Sequence, residues 1–337
     1  MLTSEDIKQL NDFFNLTIAA DTVQKISGGD VNETYLIESA DKKFIVKTIH
    51  DDAYTKDYNV TLNELISSIT FSEHIAQQFL ETENASSALF VKQDCVLKTP
   101  SGLFTVYPFS PGSIKENEAI SLVMTKKIAQ FLSLLHQTEP AFNYSFAKEK
   151  IKIFKNIGQE IINLSLWAKI KKCSHEAFLF PKLNQIATYL LTNRATFLNA
   201  INQLEGTIIC HNDLKPKNVL WEDERRFKII DWETTGLFDP YADYLDTLLA
   251  WCTHYNGKEI TLHQEKLQTF VSTYPLVSHA ELQRNLPVIF IKWYFWLAFC
   301  SKKMVDNPKQ WRHYYWHLCY SVNFIIFLIN HEFFKKL

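Results

Sequence analysis

One stretch constrains this chain more than any other. Residues 208–220 read Ile208-Ile209-Cys210-His211-Asn212-Asp213-Leu214-Lys215-Pro216-Lys217-Asn218-Val219-Leu220, and Lys228-Ile229-Ile230-Asp231-Trp232-Glu233 follows. An apolar run enters a polar loop, an apolar run leaves it, and a third apolar run ends on an acid. That is strand, loop, strand and strand in quick succession. The spacing H-x-D-x-x-x-x-N occupies the loop. Asp231 lies 18 residues beyond Asp213, which leaves room for a hairpin between them.

These residue types suit phosphoryl transfer. Its transition state is loose and highly charged, so catalysis consists mostly of positioning and charge neutralisation. One carboxylate must orient an acceptor hydroxyl and take its proton, a role that fits Asp213. A second must hold Mg²⁺ against phosphates, and Asp231 fits. Asn218 offers a neutral oxygen to the same hard cation. His211 braces the loop.

The rest of the chain reads as α+β. Strand-like runs at 34–37 and 43–47 flank the turn-like Ala40-Asp41-Lys42. Residues 61–80 carry a helical period through Leu62, Leu65, Ile66, Ile69, Ile75 and Phe79. Further strands are expected at 89–96 and 103–107, joined by Thr99-Pro100-Ser101-Gly102. The segment Tyr107-Pro108-Phe109-Ser110-Pro111-Gly112 reads as a linker. Beyond it the pattern is mainly helical, as at Ile120, Ile128, Phe131, Leu132 and Leu135. The expected organisation is a lobe at 1–106, a hinge at 107–112 and a helical lobe at 113–337 that carries the catalytic loop and the acceptor site.

His211, Asp213, Asn218 and Asp231 resemble the catalytic loop and metal aspartate of the kinase-like superfamily. Trp232 stands where protein kinases usually have phenylalanine, and Glu233 where they have glycine. This points to the small-molecule branch, with its aminoglycoside phosphotransferases, choline and ethanolamine kinases and homoserine kinases. The strings at 210–213, 230–233 and 236–243 are most similar to bacterial choline kinases. The resemblance implies a bilobal, protein-kinase-like fold, with a small antiparallel-sheet lobe bearing one helix and a larger, mainly helical lobe. It also implies ATP and Mg²⁺, and transfer of the γ-phosphoryl group to a hydroxyl of a small molecule such as choline or ethanolamine.

It further implies nucleotide-holding parts near the N-terminus. Gly28 and Gly29, with Asn32, resemble the glycine turn over the phosphates, where glycine lets backbone approach closely. Lys47 alternates onto one face of a strand and is placed to reach the phosphates. Glu64, 17 residues later on the expected helix, is the candidate partner of Lys47, with Glu73 as the alternative. Tyr107 and Phe109 would meet adenine; Pro108 has no N–H, so a neighbour such as Phe109 must donate. Lys215, two residues after Asp213, would contact the γ-phosphate.

For the acceptor, two aromatic clusters stand out, at 293–296 and 311–316. Trp293, Trp296, Trp311 and Tyr315 are candidates for a box around a cationic ammonium, although aromatic clusters on helices are more often core. Asp243, with Asp246 near it, is either an acceptor-side charge or a structural cap. From residue 251 onward there are ten Lys and Arg against five acids, a poor surface for a polycationic aminoglycoside. An antibiotic phosphotransferase, a protein kinase and an ATP-binding pseudokinase remain as alternatives. The stretch 231–239 is too short for a peptide-docking activation segment.

Composition excludes several other classes. Of 337 residues, 47% are hydrophobic and 21% charged, which is globular rather than disordered, and a net charge of −2 gives no case for nucleic acid. The six cysteines form no C-x-x-C pair, so reduced thiols are expected. The N-terminus lacks a signal-peptide pattern, and the most apolar run, 322–329, is too short to span a bilayer. A cytoplasmic enzyme with no membrane insertion is the expectation.

Overall fold

The computed structural model describes residues 2–26, 32–51, 55, 60–82, 84–139, 179–274, 278–306 and 308–330. It divides into two compact units. The first holds the described residues of 1–115 together with 216–236; the second holds those of 116–139, 148–215 and 237–337.

The first unit is built on an antiparallel sheet of five strands in the order β1-β2-β3-β5-β4. The strands are β1 (Gln24–Ile26), β2 (Glu33–Ser39), β3 (Lys42–Ile49), β4 (Leu97–Thr99) and β5 (Gly102–Pro108). Ala40 and Asp41 both have positive φ, 48° and 62°, the backbone that a two-residue hairpin between twisted strands requires. Gly102 has a φ of +135°, and a Cβ there would lie 2.8 Å from the Ile49 carbonyl oxygen, so the β4–β5 turn needs glycine.

Alternation sends Tyr35 and Ile37 of β2 and Val46 of β3 to one core. Helix α1 (Ser4–Phe14) covers it with Ile7, Leu10 and Phe14, and Thr3 and Asp6 form a reciprocal capping box at its start. Helix α2 (Leu62–Gln78) brings Leu65 and Ile69 to a second cluster with Ile49 and Leu103. The short strand β4 begins at Leu97, whereas 89–96 was expected to be extended. Val91 and Asp94 close a tight bridge with Lys92 at a φ of 60°, which folds that segment back on itself. The unit also contains the hairpin β7 (Val219–Trp221) and β8 (Phe227–Ile229), registered Val219 to Ile229.

The second unit is mainly helical. It contains α3 (Leu122–Gln137), α4 (Leu179–Thr192), α5 (Arg194–Gln203), α6 (Pro240–Cys252), α7 (Gln264–Thr273), α8 (His279–Asp306) and α9 (Trp311–Asn330). Strand β6 (Ile208–Cys210) pairs with β9 (Gly236–Phe238), and β10 (Thr253–Tyr255) with β11 (Ile260–Leu262). Asp239 caps α6 by accepting from the N–H groups of Tyr241 and Ala242, and Pro240 takes the first helical position, where a missing N–H costs nothing. Helix α8 packs against α9, α6 and α5. Among the described residues no helix is long and apolar enough to cross a membrane.

Leu10 is fully buried against the sheet. Leu10→Ala is expected to lower unfolding free energy by about 2–5 kcal/mol, read by urea denaturation. A loss near zero would mean that α1 does not close this core.

Candidate active site

The first unit gathers Lys47, Asp231 and Glu233. Lys47 sits in mid-β3, opposite Thr34 and Thr105. Its Nζ lies 2.6 Å from Asp231 Oδ1 and 2.8 Å from Glu233 Oε2. Burial alone would push this ammonium down, but the two carboxylates outweigh it and hold Lys47 firmly charged. Asn32 Nδ2 donates to Glu233 Oε2 at 3.0 Å, while the buried Asn32 Oδ1 has no partner among the described residues. One ammonium between two carboxylates leaves the cluster at net −1.

Asp231 follows β8 with a left-handed φ of 64°. Trp232, 1% exposed, anchors the turn: its indole N–H donates to the Ile229 carbonyl, and its ring stacks at 5.9 Å on Phe79, the residue at the C-terminal cap of α2. Ser72 of α2 also donates to the Thr235 carbonyl. The Ile230 N–H donates to the Asn218 carbonyl, so the β7–β8 hairpin brings Asn218 alongside the Asp231 segment.

Glu64 does not pair with Lys47. It completes a capping box with Thr61 at the start of α2, because position N3 reaches back to the free N–H of the cap. The acid of α2 that senses Lys47 is Glu73, 2% exposed, which accepts from the Tyr107 hydroxyl and the Ala88 N–H, each at 2.7 Å. Burial pushes Glu73 up to about 7 against the pull of those hydrogen bonds and of Lys47. Phe109 is 46% exposed, and its N–H donates to the Lys43 carbonyl, so that donor is already in use within the sheet. Gly28 and Gly29 lie outside the described residues, as does Cys173. The five described cysteines are free thiols.

The second unit holds the loop that contains Asp213. Asp243, 2% exposed on the first turn of α6, accepts from two consecutive backbone N–H groups: His211 to Oδ2 at 2.9 Å and Asn212 to Oδ1 at 2.8 Å. His136 of α3 adds its Nε2 to Asp243 Oδ2 at 3.0 Å and meets the Tyr274 hydroxyl through Nδ1 at 2.6 Å. Burial would raise Asp243, but the hydrogen bond and charge of His136 outweigh it and keep the carboxyl below its ordinary value. Both oxygens are thus committed to the loop, and Asp243 is a tether rather than a wall of an acceptor site.

Other groups finish the loop. Lys292 of α8 donates to the Asn212 carbonyl and lies 2.5 Å from Asp246 Oδ2. The Trp251 indole N–H donates to the Leu214 carbonyl at 2.8 Å. Asn212 takes a φ of 63°. The Asp213 carboxylate is ion-paired with Lys215.

Lys215 Nζ lies 5.8 Å from the centroid of Trp293. Trp293 meets Tyr320 of α9 edge-on at 5.4 Å, and Tyr320 meets Tyr255 at 5.2 Å and stacks on Trp316 at 5.7 Å. Trp296 instead packs on Phe299 and His317, and Trp311 on Tyr315. Glu233, His136, Lys292, Tyr255, Trp316 and Tyr320 had no site role assigned from sequence. Three had signals: Lys292 is a lone cation in an apolar run, and Trp316 and Tyr320 share a helix face by their four-residue spacing.

A family profile described as APH, phosphotransferase enzyme family, matches residues 22–268. Protein LicA of Haemophilus influenzae is 42% identical over 67 residues, 18% of this chain and 20% of that protein, so the match spans about a fifth of its length. Two solved structures share the fold. Spectinomycin phosphotransferase APH(9)-Ia, in complex with ADP and spectinomycin, has a TM-score of 0.60 at 14% identity, covering 100% of this chain and 99% of that one. Choline kinase LicA from Streptococcus pneumoniae has a TM-score of 0.53 at 17% identity, covering 93% and 98%.

Glu73 offers a pH test. Its folded value, about 7, lies above the ordinary 4.5. The folded state therefore holds the proton more tightly, and the stability this confers is present below pH ~4.5 and lost as pH rises towards ~7. Glu73→Gln keeps an acceptor for Ala88 and removes the ionisation. Its melting temperature relative to the parent should rise from about pH 5 to about pH 8. A pH-independent difference would show that Glu73 does not titrate in this window.

Proposed function

The chain belongs to the phosphotransferase enzyme family, and we propose that it moves the γ-phosphoryl group of ATP to the hydroxyl of a small amino alcohol of the choline or ethanolamine class. The observation that carries this reading is the Asp213 loop, braced from Asp243, Lys292 and Trp251, with the aromatic face of Trp293 beside its Lys215.

Lys47 provides a fixed cation for phosphate oxygens. The residues present fit a divalent ion. Among the described residues, Asp231 contributes a hard oxygen that pairs with Lys47 at Oδ1, the buried Asn32 Oδ1 has no hydrogen-bond partner, and Lys47, Asp231 and Glu233 together carry net −1. Asp231 and Asn218 are the residues that would hold Mg²⁺, which when bound neutralises charge on the phosphates. Asp213 accepts the acceptor's hydroxyl proton as its oxygen forms a bond to the γ-phosphorus. The bond from that phosphorus to the bridging oxygen breaks, and ADP leaves with the electron pair.

Charge supports a small monocation over a polycationic antibiotic. Near the Asp213 loop, Asp213 and Asp246 are matched by Lys215 and Lys292, and Asp243 is buried and committed to the loop N–H groups and His136, so no accessible excess of acid awaits several positive groups. The test is ATP consumption over choline, ethanolamine, related alcohols and aminoglycosides. Turnover with an amino alcohol supports the reading; background rates with all of them, or turnover with an aminoglycoside alone, overturns it.

Two substitutions separate the roles. Asp213→Asn should lower kcat by roughly 10²–10⁴-fold with nucleotide affinity nearly unchanged. Asp231→Asn should weaken Mg²⁺-dependent nucleotide binding itself. Equal losses of nucleotide affinity in both would contradict the assignment.

A further inference from the structure

We propose that Lys215 is an internal stand-in for the acceptor's cation: its ammonium occupies the seat that an acceptor ammonium takes, and it must leave before the acceptor binds. This rests on the amino-alcohol reading above and makes Lys215 a specificity-determining residue within it.

A monocationic acceptor needs an aromatic face and a carboxylate, with the cation largely shielded from water. Lys215 has all of these. Its Nζ is paired with Asp213 and lies over Trp293, and its side chain is only 28% exposed. The charge of Asp246 also acts on it, and the carboxylates hold its ammonium charged despite partial burial. Trp293, 8% exposed, keeps a buried indole N–H without a hydrogen-bond partner among the described residues, a donor that an incoming oxygen can satisfy.

Two ammonium groups cannot share that seat, because like charges at such a distance repel strongly where water is scarce. The backbone cannot yield. The Lys215 N–H donates to the Asp213 carbonyl at 2.8 Å, and the Leu214 carbonyl is held by Trp251. The side chain can, since four methylenes carry the charge on rotatable bonds. When the acceptor's cation takes the seat, Lys215 is displaced and free to meet phosphate, while Asp213 exchanges one ammonium neighbour for another. Discrimination follows. A neutral alcohol brings no charge to replace Lys215, so it cannot free Asp213. A polycation brings more charge than one departing lysine leaves room for.

The test uses the full chain without nucleotide, titrated by calorimetry with choline, tetramethylammonium and the neutral choline isostere 3,3-dimethyl-1-butanol at fixed ionic strength. Lys215→Ala and Lys215→Met should bind both cations about tenfold more tightly than the parent. Lys215→Arg should stay near the parent, and so should Lys217→Met, which makes the same charge change two residues away. The neutral isostere should gain nothing in Lys215→Met. Unchanged or weaker cation binding in the Ala and Met variants, or an equal gain in Lys217→Met, overturns the proposal. Failure of the parent to phosphorylate any amino alcohol would sink the substrate reading instead, so the two failures are distinguishable.

Discussion

A buried carboxylate holds the Asp213 loop in place. Asp243 is almost inaccessible and charged, and a charge in such a position must be met by hydrogen bonds. It is met by two successive N–H groups of the loop and by His136, itself fixed on Tyr274. Lys292 takes the carbonyl side of the same Asn212 residue. With donors and acceptors gripped from both directions, Asn212 is kept in a left-handed conformation that a non-glycine residue does not readily hold. The position of Asp213 is therefore set by packing among α3, α6 and α8 rather than by the loop's own preferences.

The first unit solves a different electrostatic problem. Lys47 is drawn into a sheet and kept charged by two acids that arrive from a turn 184 and 186 residues away. That turn is positioned by Trp232, which fills the space between β8 and α2 with a ring and satisfies its own indole N–H on Ile229. The tryptophan that follows Asp231 thus acts as a structural anchor. Glu233 behind it supplies a second carboxylate to Lys47 and a link to Asn32.

Much of this was legible in the sequence, for a local reason. The β2–β3 hairpin, α2 and the strand-loop-strand around Asp213 announce themselves through periods of two or 3.6 residues and through turn residues. The α+β class followed from the same patterns. What could not be read was set by distance along the chain. Glu64 has the spacing of a partner for Lys47, yet its nearest demand was the free N–H at the start of its own helix, and the cap won. Residues 89–96 are apolar enough for a strand but close a tight bridge instead. In α8 and α9 aromatic residues occur on several faces, so periodicity could not say that Trp293 and Tyr320 meet near Lys215 while Trp296 and Trp311 turn elsewhere. Asp243 was open between two roles until its burial and its two N–H donors decided for the tether.

The central claim is that a hydroxyl held near Asp213 receives the γ-phosphoryl group of ATP. The most direct measurement is ³¹P NMR of the protein with Mg-ATP and choline or ethanolamine, followed over time. The account predicts a phosphomonoester resonance that grows in step with ADP while inorganic phosphate stays low. ADP accumulating with inorganic phosphate alone, or ATP left intact with both alcohols, would contradict it.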